Sequence, residues 1–200
     1  MTASMGSTRW CIAGFMGAGK TTVAKRIAAG TLHVIDADRE AKIMMTSDPD
    51  ITARLVKVFG TSILEKNSLS FSRLGAIAFS ARDQLLRLNE IVHPPLIQRL
   101  RKIVETGKDT GCILDAALAP RWKIESWFST CIWVNADRAM RLHRIALKSP
   151  ELDETHIRKR MNLQEDTVPF PAFPPWIRLD NSGSMEELDK ALERSGFLRV

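Results

Sequence analysis

Gly14, Gly19, Lys20 and Thr21 fill the pattern G-x-x-x-x-G-K-[ST] within the stretch GFMGAGKTT. One chemistry suits that spacing: holding a row of phosphates. Glycines let backbone N–H groups turn inward around anionic oxygens, and a helix directly after the loop adds the positive end of its dipole. In such a pattern Lys20 reaches the β- and γ-phosphates and the Thr21 hydroxyl sits on Mg²⁺. The bland alternative is a glycine turn with an incidental lysine. The pattern demands a strand before it and a helix after it, and the chain offers both in RWCIAG and KTTVAKRIAA.

Three acids stand where they could act on a phosphorylated ligand. Asp36 and Asp38 lie where the second apolar run, HVID, gives out. Ligands of open α/β sheets bind outside the carboxyl ends of the strands. One residue separates the two acids, so in an extended segment both point the same way. A carboxylate there accepts the proton of a hydroxyl as it attacks the γ-phosphorus. For Asp38 the competing reading is an N-cap for the helix REAKIMM. Asp115 closes CILD, a further strand end, and is suited to hold Mg²⁺ through water or to order the site. No switch or sensor element of a GTPase or motor ATPase is found, which leaves a small-molecule kinase as the better class.

The elements that must position these groups alternate. GCILDAAL and CIWVNA are β-rich apolar runs of the type found in parallel sheets covered on both faces. Val23, Ala24, Ile27 and Ala28 share a helical stripe that Gly30 terminates. From Arg39 to about Gly107 the pattern is helical; ITARLVKVFG groups Ile51, Leu55, Val58 and Phe59, and Pro94 and Pro95 are expected to cut the helix that contains them. Helices are expected at Arg138–Lys148 and Thr155–Leu163. The Pro-rich VPFPAFPP is expected to be an ordered loop, succeeded by a last strand, WIRLD, and a last helix, SMEELDKALERSG. Such alternation reads as an α/β sandwich.

The 200 residues fit one domain with room for an inserted subdomain, and a formal charge of +6 points to anionic partners. The basic residues concentrate between Arg138 and Arg160, where a solvated helix face is the plain reading. Charge alone does not make a nucleic-acid binder, and neither an aromatic platform nor a reading helix accompanies it. Cys11, Cys112 and Cys131 sit in apolar runs without metal or pairing spacing, as expected of reduced thiols in a cytoplasmic protein. No run reaches membrane-spanning length. The first few residues are expected to be a loose tail.

Taken alone, GFMGAGKTTVAKRIA with DAD resembles shikimate kinase as much as anything. The Arg-Glu segment and triple glycine of that family are missing. The remainder of the chain resembles the dephospho-coenzyme A kinase family: VIDADREA, VFG at Val58–Gly60, Leu74–Phe79, LNEIVHPPL, ILDAAL, CIWVNADRAMRLHRIALKS, IRKRMNLQ ending in Gln164, and IRLDNSGS, in that family's order and spacing across nearly the whole length.

The resemblance implies a P-loop kinase, a three-layer α/β/α sandwich with a parallel sheet, a helical acceptor-binding insertion at about 41–109 and a helical lid at about 137–165. The core would be about 9–40, 110–136 and 175–200. It implies transfer of the ATP γ-phosphoryl to the 3′-hydroxyl of dephospho-CoA, with ATP and Mg²⁺ as cofactors. The partner is then a small molecule, with no nucleic acid and no membrane, for a monomer or weak homo-oligomer. Asp38 would be the base and Asp36 a neighbouring positioner. His93 and Pro94 would hold the acceptor, and Arg144 would descend with the lid. Nucleotide would lie on Gly14, Gly17, Ala18, Gly19, Lys20, Thr21 and Thr22, with Asn181 near the adenine and Thr21 and Asp115 at the metal. Four positions depart from the family: Asn67 and Phe71 replace a glycine and an arginine, Arg121 stands where glutamate is usual, and Lys148 replaces a second lid arginine. The lysine expected after Gln164 gives way to the Pro-rich loop. A shikimate-type kinase, or a nucleotide-binding homologue without catalysis, remains open on these residues.

Overall fold

Apolar runs ended by glycine or aspartate become the strands that carry the loop. The computed structural model describes residues 8–107 and 110–198; the expected N-terminal tail and residues 108–109, inside the span assigned to the insertion, lie outside them. The chain opens with β1 (Arg9–Ala13), α1 (Lys20–Ala28) and β2 (His33–Asp36). It continues through α2 (Ala37–Ser47), α3 (Pro49–Phe59), β3 (Leu64–Glu65), β4 (Ser68–Leu69), α4 (Phe71–Ala78) and α5 (Arg82–Thr106). The remainder is β5 (Cys112–Asp115), α6 (Ala119–Trp122), β6 (Thr130–Asn135), α7 (Arg138–Lys148), α8 (Glu154–Thr167), β7 (Trp176–Asp180) and α9 (Met185–Arg194). Contacts divide this chain into a sheet unit, up to Asp36 and from Ile103 onward, and a helical unit, Ala37–Lys102.

In the sheet unit the strand order is β2-β5-β1-β6-β7, every neighbouring pair parallel. Side chains alternate across it. Ile12, Ile113, Ile132, Val134 and Leu179 pack with the α1 stripe Val23, Ala24, Ile27 and Ala28 and with Leu188 and Leu192 of α9. Cys11, Leu114, Cys131 and Trp133 are buried at the alternate positions. A strand buried on both faces reads as a continuous apolar run, which is why these runs were legible. Each fully buried Ile or Leu contributes about 1.5–3 kcal/mol. Two cis peptide bonds, Phe173–Pro174 and Pro174–Pro175, shape the Pro-rich segment. The three cysteines are free and buried; burial raises the thiol pKa of each, that of Cys131 to about 12.

The helical unit differs from expectation in three places. Pro94 and Pro95 do not cut their helix: α5 runs unbroken through both. They remove the N–H groups that the Glu90 and Ile91 carbonyls would accept. Buried Leu85 and Val92 before them, and Leu96 and Leu100 after them, keep one apolar stripe and so one helix. Val58 is 41% exposed although Ile51, Leu55 and Phe59 are buried. Half-buried Thr52 and Val56 turn the stripe of α3 away from it. The antiparallel pair β3–β4 was not expected, and its two-residue turn is Lys66–Asn67, both at positive φ. Asn67, the departure from a glycine, tolerates that left-handed backbone as glycine would.

Candidate active site

The loop between β1 and α1 is built so that close approach, not only flexibility, demands its glycines. A Cβ at Gly14 would overlap the Val134 carbonyl, and one at Gly17 would stand 2.5 Å from the Arg141 carbonyl oxygen. Gly14 and Gly17 also lie at φ 149° and 78°, where L side chains are strained. The Ala18 N–H donates to the Phe15 carbonyl at 3.1 Å and closes the turn. Gly19 caps α1 with φ 92°; no side chain caps that helix and no acid lies in its first turn. The positive end of α1 is therefore open to an anion.

Lys20 begins α1 and rests its Nζ 3.5 Å from the Phe15 carbonyl oxygen. Thr21 Oγ1 donates to Asp115 Oδ2 at 2.6 Å, and Asp115 is only 6% exposed. Asp36 is the register partner of Asp115 across β2 and β5, so the two acids end adjacent strands. Thr22 sits half-buried in the first turn of α1. Asn181 is buried and donates from Nδ2 to the Ala18 carbonyl at 2.7 Å, while its own N–H donates to Asn135 O. Two hard oxygen donors, Thr21 and Asp115, thus meet beside the lysine. Among the described residues no cluster of three or more acidic, His or Cys side chains forms a metal cage.

Helix α7 brings two arginines to the loop in different ways. The Arg144 Nη1 is buried with no hydrogen-bond partner and lies 3.8 Å from where a Cβ of Gly19 would be. Arg141, within the basic run whose plain reading is a solvated face, is 5% exposed. Its guanidinium lies 5.1 Å from the Phe15 ring centroid and pairs with Glu165 of α8, leaving Nε and Nη1 buried and unpartnered. Glu165 also meets Arg138 Nε at 3.5 Å. Lys148 ends α7 exposed. Arg121 donates to the Thr167 carbonyl at 2.8 Å, so its guanidinium satisfies an acceptor at the end of α8.

Sequence reasoning missed two partners of the loop. The Met16 N–H donates to Gln164 Oε1 at 2.6 Å, across 148 residues. Glu165 is the second, acting through the Arg141 guanidinium that lies on Phe15. No spacing rule announces a pairing between separate elements; Gln164 stood out only as the end of IRKRMNLQ.

Asp38, His93 and Pro94 belong to the helical unit. The extended stretch expected to align Asp36 with Asp38 does not exist: β2 stops at Asp36 and α2 starts at Ala37. Asp38 lies exposed in the first turn of α2, where an acid complements the helix dipole. The strand's period of two ends between them, so it does not set a shared direction. His93 and Pro94 lie inside α5, His93 half-buried, rather than at a helix end.

Comparisons with known proteins agree with this architecture. A family model described as dephospho-CoA kinase matches residues 10–187. The dephospho-CoA kinase of Thermobifida fusca is 32% identical over 180 residues, covering 89% of each chain. That of Helicobacter pylori (strain 26695) is 30% identical, covering 94% of this chain and 95% of its own. Among solved structures, TT1252 from Thermus thermophilus aligns with TM-score 0.70 at 23% identity, over 95% of this chain and 96% of that one. A dephospho-CoA kinase from Campylobacter jejuni aligns with TM-score 0.56 at 14% identity, over 94% and 95%. Those two likenesses carry the fold.

Proposed function

We propose, from the premise that this chain belongs to the dephospho-CoA kinase family, a division of labour among its residues. The chain is an ATP-dependent dephospho-CoA kinase: it moves the γ-phosphoryl of ATP to the 3′-hydroxyl of dephospho-CoA. Membership decides against a shikimate-type kinase, and the presence of Lys20, Thr21 and Asp38 speaks against a nucleotide binder without catalysis. The observation that best supports the assignment of roles is the meeting of Lys20, Thr21, Asp115 and Arg144 at the uncapped start of α1.

Phosphoryl transfer asks the protein mainly to position groups and to stabilise charge. Gly14, Gly17, Ala18, Gly19, Lys20, Thr21 and Thr22 hold the ATP phosphates through backbone N–H groups and the lysine. Asn181 supports the loop and borders the adenine. Asp38 accepts the proton of the 3′-hydroxyl as it attacks, and Asp36 orients the acceptor. His93 and Pro94, in the insertion, hold dephospho-CoA. Arg144 meets the charge that spreads over the γ-phosphoryl oxygens, carried by a lid built from α7 and α8. Mg²⁺ fits Thr21 and Asp115, whose donors are both hard oxygens; bound, it neutralises charge on the phosphate oxygens.

Arg144→Lys lowers kcat by roughly 1–3 kcal/mol of differential stabilisation while ATP affinity changes little, because an ammonium lacks the planar fork that meets two oxygens at once. Arg144→Ala loses more, and Lys148→Ala less. Rates and ATP binding measured separately on the three variants check this; equal, small effects would reduce α7 to a basic surface. The substrate assignment itself is tested by ADP release with dephospho-CoA, shikimate and cytidine monophosphate offered separately. Turnover with shikimate alone would overturn it.

A further inference from the structure

We propose that Gln164 and Glu165, adjacent on α8, are positioning residues that hold the phosphate loop in its binding shape before nucleotide arrives. The proposal rests on reading Gly14–Thr22 as the ATP cradle.

A loop made to converge N–H dipoles and a lysine on one point has little internal reason to keep that shape when no anion is present. Something outside it must supply the order, or the nucleotide must supply it out of its own binding energy. Each residue of the loop's first half meets such a support. The Met16 N–H donates to Gln164 Oε1 at 2.6 Å and is thereby committed to α8. Phe15 lies under the Arg141 guanidinium at 5.1 Å, and Glu165 orients that guanidinium. Gly17 sits against the Arg141 backbone, and the Ala18 carbonyl accepts from Asn181 Nδ2.

The support is itself anchored. Ile157 and Met161 of α8 are fully buried with Ile145 of α7, and Arg121 ties the Thr167 carbonyl. A carboxamide also suits position 164 better than a carboxylate. It accepts the Met16 N–H without adding a negative charge beside phosphates. The negative charge of the neighbouring Glu165 is matched by two arginines, Arg138 and Arg141. On this reading the half of α8 that carries these residues supports the cradle.

The test compares wild type, Gln164→Met, Gln164→Glu and Lys20→Ala. Methionine keeps the length and half-buried fit of the side chain but offers no oxygen acceptor. Amide hydrogen exchange at Met16 is followed by NMR on nucleotide-free protein, together with ATP affinity by calorimetry and steady-state kinetics in both substrates. Gln164→Met is expected to speed Met16 exchange about tenfold or more and to raise the Kd and KM for ATP about tenfold, or 1.4 kcal/mol. The KM for dephospho-CoA and kcat are expected to stay within about threefold, because bound nucleotide restores the loop. Gln164→Glu keeps Met16 protected. Unchanged exchange or unchanged ATP affinity in Gln164→Met overturns the proposal, and so does an equal rise in both KM values, which a merely structural side chain would give. Should Gln164→Met fail to fold, loss of Met16 protection in Gln164→Glu overturns it and retention supports it. Wild-type turnover in Lys20→Ala removes the cradle reading itself; an inactive Lys20→Ala beside a wild-type-like Gln164→Met removes only the positioning.

Discussion

Lys20→Ala folds normally and transfers phosphoryl about 10²-fold more slowly or worse, a loss of several kcal/mol of transition-state stabilisation. Lys20 is the first residue of α1, outside the buried stripe of Val23, Ala24, Ile27 and Ala28, so its removal leaves the core intact. What disappears is the loop's own point charge, whose Nζ rests 3.5 Å from the Phe15 carbonyl oxygen. The charge that develops in phosphoryl transfer then loses its ammonium partner and keeps the loop's N–H groups, the open end of α1 and Arg144. Coupled-assay ADP release, with thermal melting as a control for folding, makes the comparison. A variant that turned over like wild type would mean that Gly14–Thr21 is not the working cradle.

Asp38→Asn is expected to bind ATP nearly as wild type does and to lose roughly 10²–10⁴-fold in kcat, the usual cost of removing a general base. An amide still hydrogen-bonds a hydroxyl but does not take its proton. Asp36→Asn loses less. The structure gives the two acids different settings: Asp36 ends a strand next to Asp115, whereas Asp38 opens a helix. Stability is little affected in either case, since both side chains are exposed. Kinetics of the pair, with ATP affinity measured apart, identify the base. Greater damage from Asp36→Asn would transfer that role to it.

The phosphate loop and the sheet were legible because their signals are local. A glycine pattern, a helical stripe and four-to-six-residue apolar runs each declare themselves within a dozen residues. The same holds for α7, whose observed span is the expected Arg138–Lys148. Signals that depend on partners far along the chain were not legible. The Gln164 contact to Met16 and the burial of Arg141 arise only when α7 and α8 meet the loop. A basic run cannot be told from a surface until its counter-ion, here Glu165, is located. Local rules also misled where a stronger tertiary demand competed. Pro94 and Pro95 break a helix by rule, yet the buried stripe on either side carries α5 through them. Asp36 and Asp38 share the strand's period of two only if the strand continues past Asp36; α2 begins at once, at Ala37. The β3–β4 hairpin, only two residues per strand, is too short to leave a periodic trace.

The buried cysteines give the sheet a built-in clock. Cys11 and Cys131 are register partners on the two strands next to the cradle, β1 and β6, and both are nearly inaccessible. Burial shields both sulfurs from reagent and raises their thiol pKa values, so alkylation of the native state is slow. Any reagent that modifies them must wait for the strands to part. The rate of labelling therefore measures how often the sheet opens, and any ligand that binds only the closed form slows it in proportion to the occupancy it achieves.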